Sequence, residues 1–139
     1  MDITTHLLAI LFHESGRAPV AEGQTLAHAV QSPQTRPFVE WPDLPAEVQQ
    51  GRRLTAANLL ARFNVEADSF PVPGDQAFSV DMLAAEIHAA EREAVDRGLV
   101  LVKLNRPWVE FADLPEQAQE GRRRQARYLL ARAWWWPKT

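Results

Sequence analysis

Residues 36–62, RPFVEWPDLPAEVQQGRRLTAANLLAR, lie over residues 106–132, RPWVEFADLPEQAQEGRRRQARYLLAR, at a constant offset of 70 and without a gap. By direct count 16 of the 27 aligned positions are identical, and most of the others keep their chemistry: Phe38 faces Trp108, Trp41 faces Phe111 and Val48 faces Ala118. Self-similarity of this kind fixes the folding unit before any element is assigned. Upstream, LLAILFHESGR (residues 7–17) lies over MLAAEIHAAER (residues 82–92) once a gap of five is allowed, which sets His13 on His88 and Arg17 on Arg92. Each unit therefore carries a His-x-x-x-Arg helix, a connector, an Arg-Pro-aromatic-Val-Glu-aromatic segment and an Asp-Leu-Pro helix start. A core of roughly 65–70 residues is marginal alone, so the two copies are expected to pack on each other.

The expected architecture is mostly α: two tandem homologous helical repeats packed together with a pseudo-twofold relation, joined by extended proline-rich connectors. Residues 1–64 form the first repeat, 65–78 the linker, and 79–139 the second repeat with its tryptophan-rich tail. An apolar stripe at helical spacing puts a first helix over residues 3–14, stopped by Gly16, and Leu83, Ile87, Ala90 and Ala94 mark its counterpart, capped by Ser79 or Asp81 and ending at Gly98. Proline after Asp-Leu begins a helix well, since the first turn has no use for its missing N–H. The helices from Pro45 to about Phe63 and from Pro115 to about Trp134 follow, with Val48, Ala56, Leu59, Leu60 and Phe63 inward in the first. Gly51 and Gly121 fall in mid-helix, where glycine costs about 1 kcal/mol relative to alanine, so either another element approaches closely there or the helix bends, with packing the preferred reading. A brief helix is expected at residues 25–30. Arg36 to Trp41 reads as an extended segment laid across a helix pair, and Leu99 to Leu104 as extended or loosely paired.

Composition narrows the function. At 139 residues, 46% of them hydrophobic, the chain can build a core, and the absence of cysteine excludes disulfides, thiolate metal sites and cysteine nucleophiles. A net charge of −3 argues against binding long nucleic acid, which needs a positive field. The first residues show neither a basic leader with a cleavage site nor an apolar run long enough for a bilayer, so a cytoplasmic protein without membrane contact is expected. There is no glycine-rich phosphate loop, no His-Glu-x-x-His and no Gly-x-Ser-x-Gly, and the four histidines match no metal-ligand spacing. No catalytic residue, metal or cofactor is expected.

The words LFHESGR with RPFVEWPDLPAEVQQGRR, and IHAAEREAVDRG with RPWVEFADLPEQAQEGRR, resemble the small repeat domain named after ryanodine receptors, the RyR domain, in its bacterial and phage form. Together they touch most of the chain outside the linker and tail. The usual tryptophan of that domain's first helix is missing here, Ser15 and Ala90 standing nearby. The resemblance implies a helical, non-catalytic domain that recognises small ligands such as nucleotide second messengers. A tandem copy without an effector would act as a sponge or sensor, for example as a phage anti-defence protein.

The residues expected to bind an anionic or nucleotide-like ligand are His13, Arg17, Arg36, Trp41, Arg52 and Arg53 in the first copy, and His88, Arg92, Arg106, Trp108, Arg122 and Arg123 in the second. His13 with Arg17, and His88 with Arg92, are neighbours on a helix surface and can offer donors to an anion; the structural alternative pairs them with Glu40 and Glu110. Arg52 and Arg122 fall partly on inward stripes and need an acceptor, either an internal Glu40 or Asp43 or a ligand phosphate held bidentately. The aromatics at 38, 41, 108 and 111 form either a stacking platform for a purine or staples over the helices. Trp134, Trp135 and Trp136 cannot all face one core, so they suggest an interface, with a homodimer favoured over a membrane anchor. The competing function is a protein-interaction adaptor using that tail.

Overall fold

The computed structural model describes residues 3–25, 37–67, 79–104 and 107–138. Among these the chain is mostly helical, with α1 (Thr5–Ser15), α2 (Arg17–Ala21), α3 (Ala46–Arg62), α4 (Val80–Asp96) and α5 (Glu116–Arg132), and a two-stranded antiparallel sheet of β1 (Phe63–Ala67) and β2 (Ala133–Pro137). Their starts follow from short side chains that accept an otherwise orphaned N–H: Thr4 Oγ1 accepts from Leu7 N and Ser79 Oγ from Met82 N, each at 3.1 Å. Pro45 and Pro115 stand one position earlier than expected, as caps in extended backbone, with Ala46 and Glu116 opening the helices. Before each comes a single 3-10 turn, Trp41–Asp43 and Phe111–Asp113. Glutamine side chains one turn into the following helix hold these turns, Gln49 Nε2 donating to Trp41 O at 2.8 Å and Gln119 Nε2 to Leu114 O at 3.0 Å.

Both mid-helix glycines meet a backbone carbonyl. An added Cβ at Gly51 would lie 2.1 Å from Leu99 O, and one at Gly121 would lie 1.7 Å from Gln24 O. The two carbonyls are delivered in the same way. α2 and α4 end in Gly23 and Gly98, at φ 69° and 70°, where glycine adopts the left-handed conformation at little cost. Gln24 N then closes on Pro19 O and Leu99 N on Ala94 O, the bonding of a Schellman end. Residue 24 of the first half presses on the second half's α5, and residue 99 of the second half presses on α3.

α3 lies against both α1 and α4, and α5 against both α4 and α1. The shared core holds Leu8, Phe12, Leu59, Leu83, Ile87, Leu129 and Trp135, all almost completely buried. Asn58 Nδ2 of α3 donates to Ala90 O of α4 at 3.1 Å, adding a polar tie across the halves. No helix among the described residues is long and apolar enough to cross a membrane.

Several expectations need correction. The last helix stops at Arg132 rather than near Trp134, because Ala133–Pro137 leaves it as β2. β2 pairs with β1 in a register that places Val65 opposite Trp135, so β1 runs across the expected boundary at residue 64 and the linker cannot begin before residue 68. Strand alternation then resolves the three tryptophans: Trp135 is fully buried, donating Nε1–H to Leu129 O at 3.3 Å, while Trp134 and Trp136 point the other way and are half-buried. Trp135 therefore belongs to the seam between β1 and β2 and is closed to a second chain. Gly16 interrupts the first helix for one residue, in right-handed helical backbone (φ −87°, ψ −3°), and α2 resumes at Arg17. Residues 99–104, expected to be extended or loosely paired, pair with no strand and bend at residues 100–102. The brief helix expected at 25–30 lies almost wholly outside the described residues.

Candidate functional site

Each half builds the same circuit from α1 or α4, the extended segment and α3 or α5. His13 Nε2 donates to Val39 O at 2.7 Å, and His88 Nε2 to Val109 O at 2.8 Å. A carbonyl only accepts, so the proton of each ring sits on Nε2 and Nδ1 carries the lone pair. That lone pair is taken by a guanidinium: Arg52 Nε donates to His13 Nδ1 and Arg122 Nε to His88 Nδ1, both at 3.3 Å. Neither imidazole keeps a free nitrogen with which to abstract a proton. Burial, reinforced for His88 by the Arg122 charge, pushes its pKa down to about 4; burial likewise lowers His13, with the Arg52 charge adding to it.

Both rings are therefore neutral in the folded protein, whereas an unfolded histidine titrates near 6.5. The unfolded chain binds more protons between those values, so stability is fully present above pH 6.5 and is lost as pH falls toward 4. At ~1.4 kcal/mol per unit, His88 alone accounts for up to about 3 kcal/mol of that loss. Urea midpoints should hold level from pH 7.5 to about 6.5 and then fall toward pH 4.5, and substituting His88 should flatten that fall.

The two guanidiniums converge on one carboxylate, Glu91 of α4. Arg122 Nη2 donates to Glu91 Oε1 at 3.2 Å, and its Nη1 to Gln125 Oε1 at 3.0 Å. Arg52 Nη1 stands 3.7 Å from Glu91 Oε2, an ion pair beyond hydrogen-bonding reach. All three side chains are at least 86% buried, with exposures of 7% for Arg122, 12% for Glu91 and 14% for Arg52. Burial alone would raise the Glu91 carboxyl, but Arg122 and Arg52 together hold it below the usual carboxylate range; burial lowers Arg52, whose neighbour Arg122 pushes the same way against Glu91. With both histidines neutral, the cluster has two positive charges and one negative.

This cluster forms part of the wall of a cavity of about 90 Å³ between the halves. Its charged or titratable lining, among the described residues, is His13, Arg52, Glu91 and Arg122; Gly16, Gln24 and Gln125 add small and polar surface, and Val20, Val95 and Leu101 are among its apolar walls. A cavity of that size admits several waters or a small ion, being smaller than the ~150 Å³ space that holds benzene.

Three of the expected ligand residues, His13, Arg52 and Arg122, line this cavity, and His88 stands behind Arg122. The others go elsewhere. Arg17 is bound to Glu14 at 2.6 Å and Glu40 at 2.8 Å on the outside, and Arg92 faces Glu110 at 3.6 Å and Asp96 at 3.7 Å. Being four residues on from each histidine does not bring them to it, since the imidazoles turn inward. Arg53 reaches toward His6 and Trp41, and Arg123 is held by Asp81 and Glu116, each at 2.8 Å. Arg36 and Arg106 lie outside the described residues.

The aromatics offer no open platform. Phe38 is covered on His13 at 4.7 Å and by Arg17 at 4.4 Å, while Trp108 stacks on His88 at 4.2 Å with Arg92 at 5.9 Å. Trp41 meets His13 and His6 edge-on at 5.9 and 5.8 Å. The acceptor expected for Arg52 and Arg122 is likewise corrected: neither Glu40 nor Asp43 takes them, since Glu40 is engaged by Arg17. The missed residue is Glu91. Its signal was an acid on the stripe of Ile87 and Ala94, where a charge is buried only if paired. The chain matches no family model, no curated protein and no solved structure in such comparisons.

Proposed function

We propose that the chain is a non-catalytic binding module that captures a small anionic ligand in the cavity between its halves, on an RyR-like repeat. One observation carries this: two buried guanidiniums share a single carboxylate at the wall of that cavity. A buried positive charge in excess is costly, and an anion that enters relieves the cost. The engaged nitrogens of His13 and His88 support binding rather than proton transfer.

In the tail, Trp135 is taken up in the core, which leaves the half-buried Trp134 and Trp136 to the adaptor reading. The test is thermal unfolding against a panel of carboxylates, phosphate and linear and cyclic nucleotides at constant ionic strength. A ligand at 100 times its Kd adds ~2.7 kcal/mol of stability, so at least one class should raise Tm in the parent and not in Arg52→Met. A flat response across the panel would overturn the proposal.

A further inference from the structure

The two halves differ at one position of the circuit. In the register that sets His13 on His88, Glu91 falls on Gly16. The second half thus supplies an acid to the seam where the first supplies only a hydrogen atom. Gly16 lines the same cavity, and a Cβ there would meet only His13 O at 3.4 Å and Gln125 Nε2 at 3.6 Å, ordinary contacts in a backbone any residue can adopt.

The two arginines are unequal in the same sense. Arg122 donates to His88, Gln125 and Glu91, whereas the hydrogen bond found for Arg52 among the described residues is the one from Nε to His13, leaving its terminal nitrogens 3.7 Å or more from the acid. The deficit is one negative charge. A monoanion closes it; a phosphate dianion would overshoot and leave a negative charge buried. A carboxylate head matches a guanidinium bidentately, and the apolar walls at Val20, Val95 and Leu101 need a short carbon body against them. At about 90 Å³ the cavity takes a charged head and a short body rather than a whole nucleoside.

Resting on the anion-binding proposal above, we infer that the ligand is a short-chain organic monocarboxylate, its head paired with Arg52 in the place that an acid at position 16 would fill. The experiment compares acetate, propionate and butyrate with inorganic phosphate and AMP, at fixed ionic strength and at a pH of about 8, where both phosphates are mainly dianions, on the parent, Gly16→Glu and Arg52→Met. Expected is a rise in Tm that grows with the logarithm of the carboxylate concentration and reaches about 5–10 °C near 100 times its Kd on the parent, none with phosphate or AMP, and no response in either variant. If phosphate or AMP gives the rise and the carboxylates do not, the ligand class is overturned while the anion site stands. If nothing responds, both fall. A Gly16→Glu protein that keeps the full carboxylate response overturns the placement of the head, and should that variant not fold, Arg52→Met decides the same point.

Discussion

Glu91→Gln should cost about 3–5 kcal/mol of unfolding free energy, because it leaves two guanidiniums buried together with no countercharge. The glutamine keeps the volume and one acceptor, so the loss measures charge rather than packing. Arg122 retains Gln125 and His88, both neutral, and Arg52 retains His13, also neutral. None of these offsets the repulsion between the arginines. Equilibrium urea unfolding at pH 7 measures the effect, and a loss below ~1 kcal/mol would mean that water reaches the cluster well enough to screen it.

Gly121→Ala is expected to destabilise for a different reason. In an ordinary helix interior the change would stabilise by up to ~1 kcal/mol. Here the new methyl would sit 1.7 Å from Gln24 O, a backbone atom held in place by the Schellman end of α2. Relief requires α2 and α5 to separate, and overpacking of this kind costs ~1–3 kcal/mol or more. The same applies to Gly51→Ala against Leu99 O at 2.1 Å, with a somewhat smaller clash. Because these contacts cross between the halves, both variants should shift the urea midpoint down. A midpoint equal to or above the parent's would show that the close approaches do not lock the halves together.

The glycines show what was legible in the sequence. A mid-helix glycine occurring twice at an offset of 70 pointed to a close approach, and caps such as Ser79 and Gly98 follow from local rules that need no partner. The extended segment expected at 36–41 was legible in part, since Pro37 and Pro42 restrict it locally; Glu40 is extended, but Trp41 already opens the 3-10 turn and Arg36 lies outside the described residues. β2 was not. AWWWP follows directly on a helix, and its alternation shows only against β1, where Val65 faces Trp135 from 70 residues away. The phrase FNVEA at 63–67 has the same period of two, but its five residues are too few to outweigh the linker that follows.

At the site, the repeat brought out His13, His88, Arg52 and Arg122 because they occur in pairs. Glu91 escaped because it does not: its counterpart is Gly16, and a comparison of copies that looks for identity passes over the position where they differ. Arg17, Arg53, Arg92 and Arg123 were drawn in by the same pairing. They occur twice as outer ion pairs and ring contacts, which shows that repetition marks architecture as readily as binding.

Arg52 is the surplus charge of the cluster. The direct measurement is the unfolding free energy of Arg52→Met at pH 7 in the absence of added ligand. Methionine keeps the apolar stem and Arg122 alone still neutralises Glu91; the lost bond to the buried His13 Nδ1 is offset in part by the repulsion removed between the arginines, so the stability should stay within about 2 kcal/mol of the parent. A loss on the scale of Glu91→Gln would make Arg52 a structural partner of Glu91 and leave the cavity no charge to offer an anion.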